Sequence, residues 1–130
     1  MSDDVDERRP NLVAILACND LDASERWWNR LGFHRPADQN YEGYRMLSDG
    51  DGCELHLTNV AEAGWLVPGK NPNGVYLYTP RVDALAATMR DEIIEKAKAP
   101  EHKPWGMYEL SLNGPDDFLV RIGWPSRLCS

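Results

Sequence analysis

The stretch Asn19-Asp20-Leu21-Asp22-Ala23-Ser24-Glu25-Arg26-Trp27-Trp28-Asn29-Arg30-Leu31-Gly32-Phe33 decides how the chain is read. Asp20-Leu21-Asp22 supplies a helix cap, since a short acidic side chain accepts from the backbone N–H groups that a first helical turn leaves unpaired. Ala23, Trp27 and Leu31 then recur every four residues and fall on one face, and Gly32 ends the helix. Upstream, Asn11 to Cys18 is a short apolar run. Downstream, beyond a polar loop, Tyr41 to Leu47 and Cys53 to Asn59 read as two strands around the turn-forming Ser48-Asp49-Gly50-Asp51-Gly52. The first half is therefore a β-α-β-β unit.

The second half repeats this order. A Pro-, Gly- and Asn-rich linker, 64–73, leads into a strand, Gly74 to Thr79. Val82, Leu85, Ala86, Met89 and Ile93 then mark an amphipathic helix by their spacing. Gly106 to Leu112 alternates, with Tyr108, Leu110 and Leu112 on one side and Met107, Glu109 and Ser111 on the other. Asn113-Gly114-Pro115-Asp116 turns the chain, and Phe118 to Gly123 returns. Asp20-Leu21-Asp22-Ala23 has its echo in Arg81-Val82-Asp83-Ala84, and Asp49-Gly50 in Asn113-Gly114, at offsets of 61 and 64 residues, which argues for duplication. The expected organisation is a loose arm (1–10), a single domain (11–124) of two related modules (about 11–63 and 74–124), and a tail (125–130).

The 130 residues suffice for one domain, and 42% of them are hydrophobic, enough for a real core. No uninterrupted apolar run reaches the length of a membrane span, so no membrane partner is expected. The charged N-terminal string through Arg9 lacks the apolar stretch of a secretory signal, and the three dispersed cysteines imply no disulfide framework; both point to the cytoplasm. Twenty-one acidic against fourteen basic residues give a net charge of −7, which repels phosphate backbones and favours cationic ligands. Nucleic acid is not an expected partner. No phosphate-binding Gly-rich loop, nucleophile elbow or Ser/His/Asp set occurs at a recognisable spacing.

Four segments carry a resemblance: Asn19-Asp20-Leu21-Asp22, Trp27 to Phe33 with its Leu31-Gly32-Phe33 end, Pro104-Trp105-Gly106, and Gly114-Pro115-Asp116-Asp117-Phe118-Leu119. From about Asn11 to Trp124 the chain is similar to the vicinal-oxygen-chelate superfamily of glyoxalases, bleomycin resistance proteins and dioxygenases. The Pro-Trp-Gly segment resembles its bleomycin-resistance and glyoxalase-like members, and the bleomycin-resistance branch is the expected one. This resemblance implies an α+β fold of two βαβββ modules, a curled mixed sheet around a cleft, and a homodimer.

Metal-dependent members of the superfamily place His and Glu ligands on the inner faces of equivalent strands. Those positions fall here at Val13, His56, Gly74 and Arg121. His56, with Glu54 two residues away on the same face, is the only metal candidate. The resemblance therefore implies no cofactor and no catalytic residue, but a non-catalytic protein that sequesters a cationic, aromatic small molecule, a bleomycin-like antibiotic or an aromatic metabolite. The alternative is a metal-dependent lyase, isomerase or dioxygenase using His56 and Glu54. Carried over by position, Tyr41, Tyr76, Trp105 and Gly106 match aromatic and Trp-Gly ligand contacts, while Pro36 and Ala37 stand where some members carry a further aromatic. The two-residue period of a strand places Glu54 beside His56, Tyr78 beside Tyr76, and Leu119 and Gly123 beside Arg121. The expected ligand-binding set is thus Tyr41, Glu54, His56, Tyr76, Tyr78, Trp105, Gly106 and Arg121.

Overall fold

The capped helix forms as α1, Leu21–Arg30, in the computed structural model, which describes residues 12–59, 66–67 and 69–129. The 1–10 arm and positions 64, 65 and 68 of the linker lie outside the described residues. Asp20 has extended backbone, and its Oδ1 accepts the Ala23 N–H at 3.0 Å. At the other end Gly32 takes φ 94°, a left-handed conformation that costs a glycine little. Its N–H bonds the Asn29 carbonyl at 3.0 Å, and the Phe33 N–H bonds that of Trp28 at 3.1 Å. This Schellman closure satisfies carbonyls left open by the last turn, and it stacks Phe33 edge-on against Trp28, ring centres 5.5 Å apart.

Of the expected Ala23, Trp27 and Leu31 line, Leu31 is buried at 1% exposure, while the rest of the buried face of α1 is different. Leu21, Ser24, Glu25 and Trp28 are buried, with Trp28 2% exposed, whereas Trp27 is half-buried and meets Trp28 edge-on at 5.1 Å. A carboxylate on a buried face needs compensation. Two cations supply it: Arg35 Nε donates to Glu25 Oε2 at 2.7 Å, and Arg45 donates to Glu25 Oε1 and, at 2.9 Å, to Asp22. The bond from Arg45 holds the exposed Asp22 carboxyl below its usual range.

The chain divides into two units, 1–66 and 67–130. In the first, β1 (Ala14–Ala17), β2 (Tyr44–Ser48) and β3 (Glu54–Thr58) form a sheet of order β1-β3-β2. β1 runs parallel to β3 and β2 antiparallel to it, pairing Ile15 and Met46 with His56. Leu47, Leu55 and Leu57 are buried with Leu21, Trp28, Leu31 and Phe33, so the opposite face carries Tyr44, Met46, Glu54, His56 and Thr58. Among the described residues two strands follow the helix, and the segment between helix and β2 contributes one bridge, His34 with Ser48.

The second unit contains β4 (Gly74–Tyr78), α2 (Val82–Thr88), β5 (Glu101–His102), β6 (Met107–Asn113) and β7 (Leu119–Pro125), with sheet order β4-β7-β6-β5. β4 is parallel to β7 and the other pairs are antiparallel, so both units place their first strand parallel to their last. Val82, Leu85, Ala86 and Met89 are buried with Leu110, Leu112, Val120 and Ile122. The second helix is shorter than its apolar spacing suggests. A single turn, Arg90–Glu92, follows it. Ile93 then leaves helical geometry to bridge Leu112, and the Ile94 N–H bonds the Ser111 carbonyl at 2.8 Å. Ile93 is still core, 1% exposed, but enters it from extended chain.

Candidate functional site

The face of the second sheet turned away from α2 is built around a carboxylate. Alternation along β6 puts Glu109 and Ser111 opposite Leu110 and Leu112, and register puts Tyr76 beside Arg121 and Tyr78 beside Gly123. Glu109 is 2% exposed. Its Oε1 accepts two neutral donors, the Tyr76 hydroxyl at 2.7 Å and the Trp105 indole N–H at 3.1 Å. The Tyr76 ring crosses β7 to reach it, which is possible because Gly123 has no side chain: a Cβ there would lie 2.0 Å from the Tyr76 hydroxyl oxygen. Burial first, and the bond to Glu109 second, push the Tyr76 phenol well above its ordinary pKa.

Tyr78 stacks obliquely on Tyr76, ring centres 4.7 Å apart, and is itself 63% exposed; Trp105 is 64% exposed. Gly106 closes the turn before β6, its N–H bonding the Lys103 carbonyl at 3.0 Å. Arg121 is exposed, with Nε 3.4 Å from the Ser111 hydroxyl. Five of the expected residues, Tyr76, Tyr78, Trp105, Gly106 and Arg121, therefore belong to this unit, and Tyr76 and Trp105 converge on one atom.

The first unit offers a different arrangement. The Tyr44 hydroxyl lies 2.6 Å from His56 Nδ1, and His56 Nε2 lies 3.4 Å from Glu54 Oε2, so three side chains form a line across the open face. The described residues contain no group of three or more His, Cys, Asp or Glu side chains able to hold a metal ion. Val13, Gly74 and Arg121, the other positions expected from the resemblance, carry no neutral or anionic donor side chain. Tyr41 is not part of the His56 line. It is exposed and borders an open groove of about 620 Å³ with Asp20, Asp22, Glu42 and Arg45.

Sequence reasoning missed two of these residues as site members. Glu109 carried a signal, the one carboxylate of β6, flanked by Tyr108 and Leu110. Tyr44 carried none beyond its period, because its partner comes from a neighbouring strand.

The fold is that of the glyoxalase and bleomycin-resistance proteins. The chain is similar to a bleomycin resistance determinant encoded on transposon Tn5, with 22% identity, TM-score 0.70, and 89% of this chain and 98% of that one covered. It is equally similar to a bleomycin-binding protein in complex with bleomycin, at 23% identity and TM-score 0.70, covering 88% and 98% of the two chains. A lactoylglutathione lyase from Agrobacterium tumefaciens matches at 17% identity and TM-score 0.65, covering 92% and 97%. These neighbours come from the superfamily, and include the branch, that the motifs resemble. No family model and no curated protein matches the chain. No described helix is long and apolar enough to cross a membrane.

Proposed function

We propose that the protein is a bleomycin-resistance-like binding protein that sequesters a cationic, aromatic small molecule and releases it unaltered. The observation that carries this reading is the aromatic set Tyr76, Tyr78 and Trp105, with two large rings exposed on the open face of the second sheet. Offset or edge-on ring contacts contribute about 0.5–1.5 kcal/mol each beyond area burial, and a cation over a Tyr or Trp face gains a comparable amount. The net charge of −7 draws cations toward the surface. The likeness to a protein complexed with bleomycin supports the ligand class.

In this reading the protein works as a cytoplasmic homodimer, a state that sedimentation at micromolar concentration measures. Calorimetry and tryptophan fluorescence with bleomycin-type drugs test the binding. Saturable heat and quenching are expected, with affinity reduced on Trp105→Ala; no heat and no quenching at micromolar drug would remove this ligand class. A metal-dependent lyase is favoured by a single feature, the approach of His56 to Glu54. Elemental analysis after supplementation with nickel, zinc, manganese and ferrous iron decides it, since a protein that stays metal-free cannot work that way.

A further inference from the structure

We infer that the second unit holds a separate, smaller binding site on the α2 side of its sheet, which takes a compact methylated ammonium. The pocket has a volume of about 240 Å³ and is lined by Asp83 from the first turn of α2, by His102, Tyr108 and Trp124 from the sheet, and by Cys129. Strand register builds it. Tyr108 on β6 pairs with His102 on β5 and with Trp124 on β7, so three aromatic side chains stand in one row across three strands. Alternation puts Tyr108 on the face of Leu110 and Leu112, which packs on α2, and puts Tyr76, Glu109 and Arg121 on the other. The pocket therefore shares no side chain with the aromatic set of the open face.

The lining is held in place before a ligand arrives. The Tyr108 hydroxyl donates to Asp83 Oδ1 at 2.5 Å, which orients the carboxylate. The His102 ring stacks obliquely on Tyr108, centres 4.6 Å apart, and its Nδ1 lies 2.8 Å from the Ser126 hydroxyl. Little side-chain freedom is then lost on binding. The ion pairs of the described residues engage Arg35, Arg45, His56 and Lys103, and none of these cations reaches Asp83. Asp83 is exposed, and an exposed carboxylate returns little to a primary ammonium for the loss of its strong hydration. A methylated ammonium is weakly hydrated and is drawn to the faces of Trp and Tyr rings, with the carboxylate charge adding to the attraction. The volume is below the roughly 300 Å³ at which pockets for drug-sized ligands begin, so the occupant is a small molecule.

Cys129, a half-buried thiol in the lining, reports occupancy, because a ligand in the pocket covers it. The experiment follows alkylation of Cys129 by iodoacetamide in the intact protein, read by peptide mass spectrometry. The probes are choline and its neutral isostere 3,3-dimethyl-1-butanol, which differ in charge and hardly in shape. Choline protects Cys129 at about tenfold lower concentration than the alcohol. Asp83→Asn keeps an oxygen for the Tyr108 hydroxyl but carries no charge; it brings the two probes to within about twofold and leaves tryptophan quenching by a bleomycin-type drug unchanged. No protection by millimolar choline, equal protection by the two probes, or a preference that survives Asp83→Asn overturns the inference and leaves drug binding on the open face untouched. Drug quenching lost together with choline protection overturns the separation of the two sites. Phosphatidylcholine vesicles distinguish a lipid headgroup from a free ammonium: protection by vesicles and not by choline overturns the small-molecule ligand. Should Asp83→Asn not fold, the Trp124 indole N–H signal of the unsubstituted protein decides. It shifts on adding choline and not on adding the alcohol, and equal responses overturn the inference.

Discussion

Gly123 is defined by what a methyl group would meet. A Cβ there would sit 2.0 Å from the Tyr76 hydroxyl oxygen and 2.9 Å from the Glu109 Cβ, so Gly123→Ala must either expel the Tyr76 ring or part β7 from β6. A loss of about 1–3 kcal/mol in denaturant unfolding is expected, the usual range for overpacking, together with an earlier-titrating Tyr76. Tyr108 gives a second prediction. Its hydroxyl donates to Asp83 at 2.5 Å; that bond first, and burial second, push the phenol up to about 12. A phenol whose folded pKa exceeds its unfolded value near 10 favours the folded state at pH below about 10, and that contribution is lost as pH climbs toward 12. A phenolate absorbance titration should therefore show Tyr76 and Tyr108 ionising above the range of a free phenol, and Asp83→Asn should bring Tyr108 back toward that range. Of this cluster Tyr76, Tyr78 and Trp105 were legible from strand period and motif. Glu109 was not recognised, because its partners lie 33 and 4 residues away and only the folded sheet brings them to one oxygen.

For α1, both ends were legible because both are local: Asp20 caps within three residues, and the closure at Gly32 and Phe33 reaches back no more than five. Its buried face was not. Four-residue spacing from Ala23 pointed to Trp27, whereas the helix buries Glu25 and Trp28, and Glu25 is tolerated there only because Arg35 and Arg45 arrive from a loop and from β2. No pattern inside the helix encodes those partners. Trp28→Ala should therefore cost about 3–5 kcal/mol in equilibrium unfolding, the range for a fully buried tryptophan. A Trp27→Ala variant that proved equally costly would contradict the assignment. Gly32→Ala should cost about 1 kcal/mol or more, since alanine at φ 94° is strained. The shortening of α2 has a related cause: Ile93 keeps the helical spacing, but pairing with Leu112 on β6 draws it out of the helix.

For the whole molecule, the two landmarks that suggested a duplication fall in units that share one feature, a first strand parallel to the last. The halves differ chemically: the first carries a Tyr44–His56–Glu54 line, the second an aromatic set around Glu109. The surplus of acid belongs to the chain as a whole, so association with a cationic ligand should slow as salt is raised, a dependence that stopped-flow fluorescence measures. The central claim, binding without chemistry on the second sheet, is tested most directly by one NMR titration with a bleomycin-type drug in which protein amides and drug resonances are followed together. The expected result is saturable shifts at Tyr76, Tyr78 and Trp105 through Glu109, with drug signals that move but do not convert. Shifts confined to other residues, or new drug signals growing with time, would contradict it.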